Sequence, residues 1–364
     1  MTKRVINFNA GPAALPLAAL ERAQKEFLDF EGTGMSILEH SHRAKDYERV
    51  HQEAISLLTE LLGIPDTHQV LFMQGGATFQ FALVPLNLLR PGQSADIVHT
   101  DVWTKKAFAE AKLVGTARLA ADTEESDGVC RRVPRQDELS LDPKAAYVHV
   151  CTNNTVMGTQ FRDLPEVGAV PLVLDASSDI MSRSIDLSKV GLLFAGAQKN
   201  IGPAGVTVVV ARRSLVEAGR EDIPKIFRYK EHAKENSLLN TCPTFSIYMM
   251  RNVLQWVKEE GGVAAMEKRT AEKARLVYAL VDENPAFFRT RVEKASRSLI
   301  NPVFRLATAE LDAKMVAEAK DAGFVGIKGH KLVGGIRVSQ YNATSPDQVA
   351  QFTEWARGFA RRNG

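Results

Sequence analysis

The chain has 364 residues, of which 45% are apolar, 24% charged and 7% aromatic. These proportions are those of an ordinary globular protein, and they exclude a disordered chain or a collagen-like repeat. The 46 Lys and Arg residues nearly balance the 43 Asp and Glu residues, which argues against a general nucleic-acid or membrane-surface binder.

The cysteines and the N-terminal segment indicate the compartment. Cys130, Cys151 and Cys242 are odd in number and form no Cys-x-x-Cys pair, which argues against a disulfide framework and fits a reducing environment. The opening MTKRVINFNAGPAALP has no apolar run long enough for a secretory signal, and no stretch of 18 consecutive apolar residues follows. The sequence therefore predicts a soluble, cytoplasmic protein with no membrane partner.

The first two thirds of the chain predict one helix and then alternating strands and helices. After Pro16, the segment LAALERAQKEFLDFEG repeats apolar residues at helical spacing and stops at Gly32. Six short apolar segments, predicted as strands buried on both faces, are 70–73, 95–99, 145–150, 170–175, 191–196 and 206–211. This order is typical of α/β proteins with a mostly parallel sheet covered by helices, in which ligands bind beyond the carboxyl ends of the strands.

The pattern changes at Gly261-Gly262, a double helix breaker. The elements predicted beyond it are a long amphipathic helix, strands at 301–307, 324–329 and 334–341, a helix at 311–323, and a last helix whose N-cap, N1 and N3 positions are Ser345, Pro346 and Gln348. We therefore expect a large domain at 16–260 and a smaller α+β domain formed by 1–15 and 261–364.

Lys199 and Asp175 are the first candidates for chemistry. Lys199 lies in a turn of small residues between two predicted strands, where desolvation would lower its pKa and free the amine for a Schiff base. Asp175 ends another strand, and a carboxylate there could keep the ring nitrogen of pyridoxal phosphate (PLP) protonated. Taken singly, the lysine could be a solvated turn residue and the aspartate a helix cap. The pairing therefore matters more than either residue.

Three further segments follow predicted strands. Gly75-Gly76-Ala77-Thr78 leads from a strand into a helix, where backbone N–H groups and the Thr78 hydroxyl could bind a phosphate. The segment matches neither GxxxxGK[ST] nor GxGxxG, so it gives little support to a nucleotide site, and it could equally be an ordinary turn. Trp103 could fill core or stack on a planar ligand, and Asn153-Asn154-Thr155 could bind a cofactor or form a turn.

Two basic clusters suit a doubly anionic small molecule. They are Ser41-His42-Arg43 and Gly329-His330-Lys331, the second with Arg337 a few residues later. The alternative is a pair of solvated basic turns. His40 and His42 are of a residue type that binds metals, but no HExxH motif or second Cys/His cluster accompanies them, so no metal is predicted.

These residues resemble those of the phosphoserine aminotransferases, in the class V group of fold type I PLP enzymes. The resemblance runs over nearly the whole chain. It is carried by FNAGPA (8–13), SHR (41–43), AGAQKNIGPAG (195–205), NTCPTF (240–245) and KGHKLVGG (328–335). The combination of the lysine block with the late histidine block is far more specific than a lone glycine-rich loop.

The resemblance implies a role for each candidate. Lys199 would carry PLP as a Schiff base, Asp175 would pair with the pyridine nitrogen, and Trp103 would stack on the ring. The other residues expected to line the cofactor are Ala77, Thr78, Thr155 and Gln198. Asn240 and Thr241 would reach the cofactor phosphate of a neighbouring subunit, which implies a homodimer. The residues expected to hold the two anionic groups of the substrate are His42, Arg43, His330, Lys331 and Arg337.

The resemblance also implies a reaction. L-glutamate would donate its amino group and 3-phosphohydroxypyruvate would accept it in a ping-pong scheme, giving O-phospho-L-serine and 2-oxoglutarate in L-serine biosynthesis. A similar phosphorylated 2-oxo acid of pyridoxine biosynthesis is a further candidate substrate. Some relatives carry Arg at the position of Thr78, and Arg is usual at that of Lys331. Lys331 keeps the charge without the planar fork, which predicts weaker or less oriented capture of the distal anion.

Other interpretations make different demands on the sequence. A cysteine desulfurase needs a mobile nucleophilic cysteine, and of the three cysteines only Cys130 is expected to be exposed. A transaminase for glyoxylate and uncharged amino acids would not need two basic clusters. A PLP-binding regulator would need a DNA-reading domain with a basic face, whereas the resemblance accounts for the whole chain. We therefore expect no nucleic-acid partner.

Overall fold

The computed structural model describes residues 4–364. Their helices, α1–α10, are Leu17–Glu26, Lys45–Leu62, Gly76–Leu88, Val102–Val114, Arg213–Glu217, Tyr229–Lys234, Thr244–Glu259, Gly262–Glu283, Ala309–Asp321 and Pro346–Asn363. Their strands, β1–β13, are Ile6–Asn7, His68–Met73, Ser94–His99, Thr116–Asp122, Val148–Cys151, Asn153–Asn154, Thr159–Gln160, Leu172–Asp175, Leu192–Gly196, Thr207–Arg212, Val303–Phe304, Phe324–Val325 and Ile336–Arg337.

A seven-stranded sheet forms the centre of the molecule, in the order β2-β10-β9-β8-β5-β3-β4. Only β10 runs antiparallel to its neighbours β2 and β9, and the other pairs are parallel. The α/β prediction with a mostly parallel sheet is confirmed. Since the parallel strands all end at one edge, the loops that follow them meet there.

The strands are apolar throughout because both faces of the sheet are covered. In β9, Leu193 and Ala195 face a core shared with α2 and α7, whereas Leu192 and Phe194 face a second core shared with α3. Successive side chains of a strand point to opposite faces, so a strand between two helical layers needs apolar residues at every position. This arrangement explains the unbroken apolar runs in the sequence.

All six strands predicted from these runs are present, but β4 was missed. Thr116–Asp122 lies at the edge of the sheet and pairs only with β3, and of its residues only Ala120 is buried. An edge strand of this kind needs no continuous apolar run, so the sequence pattern did not indicate it. The three strands predicted after residue 300 are present as two-residue pairings, β11, β12 and β13.

The first predicted helix is shorter than expected. It ends at Glu26 and not near Gly32, because the chain turns back on itself and the N–H of Phe30 donates to the carbonyl of Met35 at 2.8 Å. Phe27 and Leu28 continue the helical spacing, yet Leu28 is 82% exposed.

The C-terminal third has its own apolar core, built from α8, α9, α10 and the short strands around them. Phe8 belongs to this core, and β1 pairs in parallel with β12. The last helix begins as predicted, since Ser345 and Gln348 form a reciprocal capping box with bonds of 3.2 and 3.0 Å. The division into domains at 16–260 and at 1–15 with 261–364 stays a prediction. None of the helices within residues 4–364 is both long and apolar enough to cross a membrane.

A buried lysine links the C-terminal core to a segment that reaches the large sheet. Lys273 of α8 is 1% exposed, and its ammonium donates to the carbonyls of Gln340, Tyr341 and Thr344 at 2.8, 2.8 and 3.0 Å. These three residues are buried, so water cannot replace the Lys273 donor if it is lost. The ammonium therefore holds the segment 340–344 in one conformation.

We expect Lys273→Met to lower the free energy of unfolding by roughly 3 kcal/mol, since methionine fills the space but leaves buried carbonyls without a donor. Urea denaturation followed by circular dichroism measures the change. Lys268→Met, on the exposed face of the same helix, is the matched control and should leave the midpoint unchanged. Equal midpoints for the two variants would contradict a structural role for Lys273.

Candidate active site

Loops that follow β2, β3, β8 and β9 meet at the carboxyl edge of the sheet. A cavity of about 290 Å³ opens there, between the β2–α3 turn, the ends of β8 and β9, and the start of α4. Its lining residues are Gly75, Gly76, Ala77, Thr78, Trp103, Asp175, Ser177, Gly196, Gln198, Lys199 and Gly205. The structure thus brings together six of the side chains singled out from the sequence.

Lys199 and Asp175 lie on neighbouring strand ends, since Asp175 closes β8 and Lys199 follows β9. Burial lowers the pKa of the Lys199 ammonium, and the negative charge of Asp175 opposes that shift. Burial likewise raises the pKa of Asp175, and the charge of Lys199 opposes it. Each group therefore stabilises the ionised form of the other, while burial keeps the lysine closer to its neutral, nucleophilic form than a surface lysine would be.

Asp175 is held by its own loop. The carboxylate is 5% exposed and accepts a hydrogen bond from the N–H of Ser177 at 3.0 Å. Its backbone carbonyl accepts from the N–H of Thr152 at 3.0 Å. A carboxylate fixed in this way can hold a proton on a ring nitrogen of a bound ligand without reorganising.

The turn before α3 presents free backbone donors. Gly75 and Gly76 adopt left-handed conformations with φ of 85° and 67°, and Gly75 supplies no capping side chain to the helix. A Cβ at Gly75 would lie 2.5 Å from the Cβ of Phe79, so glycine is required for this close approach. The first N–H groups of α3, with the Thr78 hydroxyl, form a site suited to a phosphate at the cavity mouth.

Trp103 is fixed at one wall of the cavity by two polar contacts. The Asp101 carboxylate caps α4 by accepting from the N–H groups of Trp103 and Thr104, each at 2.9 Å. The indole N–H donates to the Thr155 hydroxyl at 3.2 Å, and the carbonyl of Thr155 accepts from Arg337 at 2.9 Å. Trp103, Thr155 and Arg337 therefore form one connected wall.

Asp101 was missed in the sequence, although its spacing to Thr104 is that of a capping box. The side chain is 1% exposed, and burial raises its pKa to about 7 while the charge of Asp175 adds to the rise. The signal that could have found it is an aspartate three residues before a threonine, at the carboxyl end of a strand. Its position makes it the second buried carboxylate beside the cavity.

The N-terminal segment FNAGPA contacts the turn that carries Lys199, and nothing in the sequence indicates this contact. The N–H of Ala13 donates to the carbonyl of Gln198 at 2.9 Å, and a Cβ at Gly11 would lie 3.3 Å from the Cγ of Lys199. Asn200, next to the lysine, accepts from the N–H of Asn342 at 2.9 Å. The turn that carries Lys199 is therefore held by both ends of the chain.

The late basic cluster lies against the Trp103 wall. Gly334 and Gly335 turn with φ of 65° and 71°, and Val333 packs with Trp103 in a small apolar cluster. Burial lowers the pKa of Arg337, whose Nε is buried with no hydrogen-bond partner. His330 is half-buried and Lys331 exposed. An unpartnered buried guanidinium N–H next to a cavity is a candidate for binding a carboxylate.

Eight predicted residues are not among those that line this cavity. Thr155 and Arg337 belong to the Trp103 wall, and His330 and Lys331 line a hollow beside α9. The other four lie elsewhere on the chain. Asn240 borders a separate hollow with Gly75 and Phe79, and Thr241 next to it is exposed. His42 has a buried Nε2 without a partner, and Arg43 is exposed just before α2.

Cys130 was predicted to be exposed, and this was wrong. It is 1% exposed, because Val156 and Met157 pack over it, and Cys151 and Cys242 are buried as well. The structure therefore presents no exposed nucleophilic cysteine. His40 bonds with Thr33 at 3.2 Å, and residues 4–364 contain no cluster of His, Cys, Asp or Glu that could hold a metal ion.

Comparison with known proteins identifies the family of this chain. The family model described as Aminotransferase class-V matches residues 5–352. A phosphoserine aminotransferase of Lysinibacillus sphaericus is 51% identical over 343 residues, which cover 94% of each chain. The solved phosphoserine aminotransferase of Bacillus circulans subsp. alkalophilus superimposes with a TM-score of 0.97 at 47% identity, over 100% of both chains. The PLP-bound phosphoserine aminotransferase of Trichomonas vaginalis gives 0.92 at 36% identity, over 97% of this chain and 100% of that one.

We expect Asp175→Asn to lower the pKa of the Lys199 amine further, because Asp175 is the strongest of the charges that oppose the effect of burial. In protein freed of small ligands, labelling of Lys199 by trinitrobenzenesulfonate, followed by peptide mapping, should reach half its maximal rate at a lower pH. Asp101→Asn is a graded control with a smaller shift, since Asp101 acts more weakly on Lys199. A midpoint that stays in place in Asp175→Asn would refute the pairing.

Proposed function

Because this chain belongs to the phosphoserine aminotransferases of the class V aminotransferase family, we propose that it transfers the amino group of L-glutamate to 3-phosphohydroxypyruvate. The products are O-phospho-L-serine and 2-oxoglutarate. The observation that carries the proposal is the shared cavity in which Lys199, Asp175 and Trp103 face a helix N-terminus suited to phosphate. We place the reaction in cytoplasmic L-serine biosynthesis.

The residues around the cavity fit PLP. Lys199 is the anchoring amine, Asp175 the partner of the ring nitrogen, and Trp103 the stacking surface, with Gln198 and Thr155 beside them. The free N–H groups at Ala77 and Thr78 suit the cofactor phosphate. When bound, PLP supplies an electron sink for the carbanion that forms at the substrate Cα.

The protein's own side chains do the rest of the chemistry. The Lys199 amine removes the proton from the Cα of the bound amino acid and later returns one, a step worth roughly 10²- to 10⁴-fold in rate. Burial favours the neutral amine needed for the first of these transfers. Arg337, whose Nε has no protein partner, binds the carboxylate next to that Cα.

The second anionic group of the substrate lies further from the lysine. We assign it to His330 and Lys331, whose loop also carries Val333 into the apolar cluster that Trp103 joins, and to His42 and Arg43. Since glutamate has a distal carboxylate and phosphoserine a phosphate, one basic pocket serves both half-reactions. The kinetics should therefore be ping-pong, with parallel double-reciprocal lines.

The absorption spectrum of the purified holoenzyme tests this function. Addition of O-phospho-L-serine or L-glutamate should bleach the band of bound PLP, whereas L-alanine should not, because alanine has no second anion for the basic pocket. Borohydride reduction should leave the pyridoxyl tag on the peptide that contains Lys199, and Lys199→Ala should carry none. Equal bleaching by alanine, or a tag on another residue, would refute the proposal.

We also propose that two chains share each site in a homodimer. Large apolar side chains are exposed along residues 17–38, directly before His42 and Arg43. Those two residues, with Asn240 and Thr241, lie outside the cavity of their own chain. A second chain docked on this face would bring its own copies of these residues to the cavity.

Hybrid dimers test the sharing of sites. Lys199→Ala and the double variant Asn240→Ala/Thr241→Ala should each be nearly inactive alone. Co-expressed with different tags and purified as a mixed dimer, they should regain about half of the wild-type activity, because one of the two sites then contains only wild-type residues. A mixed dimer as inactive as its parents would place Asn240 and Thr241 at the site of their own chain.

A further inference from the structure

Lys106, which no feature of the sequence singled out, lies next to Trp103 in the first turns of α4. It stands three residues after Trp103 on α4, and its ammonium nitrogen is 4.8 Å from the centroid of the Trp103 ring. The Lys199 nitrogen lies 5.5 Å from the same centroid. The indole ring of Trp103 therefore lies close to two amino groups, that of Lys199 in the cavity and that of Lys106 on α4. Residues three apart on a helix lie on one face, and the cation–π contact keeps Lys106 over the ring.

The charge of Lys106 is free. Lys105, the preceding residue, donates to the Glu124 carboxylate at 3.0 Å and is paired. Lys106 forms no ion pair with any carboxylate of residues 4–364 within 4.0 Å. A cation held over an aromatic ring at the edge of a site, without a protein anion, is available to a ligand.

The neighbouring loop brings further positive charge to the same place. Val333 packs in one cluster with Val102 and Trp103, which places the loop of His330 and Lys331 next to the start of α4. Burial lowers the pKa of His330, and the charges of Arg337, Lys331 and Lys106 lower it further. The charges that act on His330 are thus all positive, as expected of a pocket that receives an anion.

We propose that Lys106 is a specificity-determining residue that binds the distal phosphate of the substrate together with His330 and Lys331. This inference rests on the proposed function and names the group that separates the two substrates. A phosphate monoester carries a charge of about −1.5 to −2 at neutral pH, whereas the distal carboxylate of glutamate carries −1. A Coulomb contact with one more cation therefore favours the phosphate about twice as strongly in free energy.

Lys106 also complements Lys331 in the proposed contact. The Lys331 ammonium is a single point charge, whereas a guanidinium would bind an anion through two N–H groups in one plane. A second ammonium that approaches from α4 restores a contact from another direction. The phosphate is then bound by two ammonium groups, that of Lys106 on α4 and that of Lys331 on its loop, and its binding does not depend on one rigid side chain.

The experiment compares Lys106→Met with Lys105→Met in the holoenzyme, since both variants remove one charge from the same helix. Lys106→Met should lower kcat/KM about tenfold for O-phospho-L-serine and about threefold for L-glutamate, in keeping with the ratio of the two charges. Lys105→Met should change neither value. Both losses should shrink at 0.5 M KCl, because added salt screens an exposed charge over about 10 Å or less.

Two further measurements separate charge from packing. Lys106→Arg should retain the preference for the phosphorylated substrate. In Lys106→Met, the pKa of His330 should rise, as followed by NMR of ¹³C-labelled histidine and assigned with His330→Gln. Equal kinetics for the two methionine variants, or equal losses for both substrates, would overturn the inference. A wild-type enzyme that does not react with O-phospho-L-serine would instead refute the proposed function.

Discussion

The mutual stabilisation of two buried charges, the ammonium of Lys199 and the carboxylate of Asp175, is the interaction on which the site depends. Either charge alone would be costly in this environment, since burial shifts both pKa values toward the neutral forms. Together they remain ionisable at a place from which water is largely excluded. The sheet makes the pairing possible, because β8 and β9 are adjacent and parallel and release both residues at one edge.

Segments distant in sequence fix the turn that carries Lys199. Residues 11–13 pack against it from the N-terminus, and Asn342 binds Asn200 from the C-terminal part of the chain. The segment that contains Asn342 is held by the buried ammonium of Lys273. A network of this kind places the Lys199 amine at a fixed point, as the proposed proton transfer to a bound substrate requires.

The positively charged side chains around the site differ in their exposure to solvent. Arg337 is half-buried close to the lysine, whereas Lys331 and Lys106 are exposed. In the proposed reaction, the half-buried guanidinium orients one anionic group, and the exposed ammonium groups accommodate a second group of different size and charge. This division suits the two proposed amino-acid substrates, which share one end and differ at the other.

The sequence by itself determined the fold class, six of the seven strands of the central sheet and residue types that line the cavity. Short apolar runs bounded by turn residues favour strands buried on both faces, and polar residues at the carboxyl ends of parallel strands meet at one edge. The sequence also singled out the lysine, the aspartate and the tryptophan, because each lies at or shortly after the end of such a strand. Their roles and the shared dimer remain predictions.

Only the tertiary structure decided which distant residues support these groups. Asp101, Lys106 and Lys273 carry no local pattern that distinguishes them from an ordinary cap or surface lysine. Their importance depends on what packs against them across tens or hundreds of residues, as the burial of Cys130 under Val156 and Met157 also illustrates. Long-range packing sets exposure and electrostatic environment, and neither quantity is encoded in the few residues on either side.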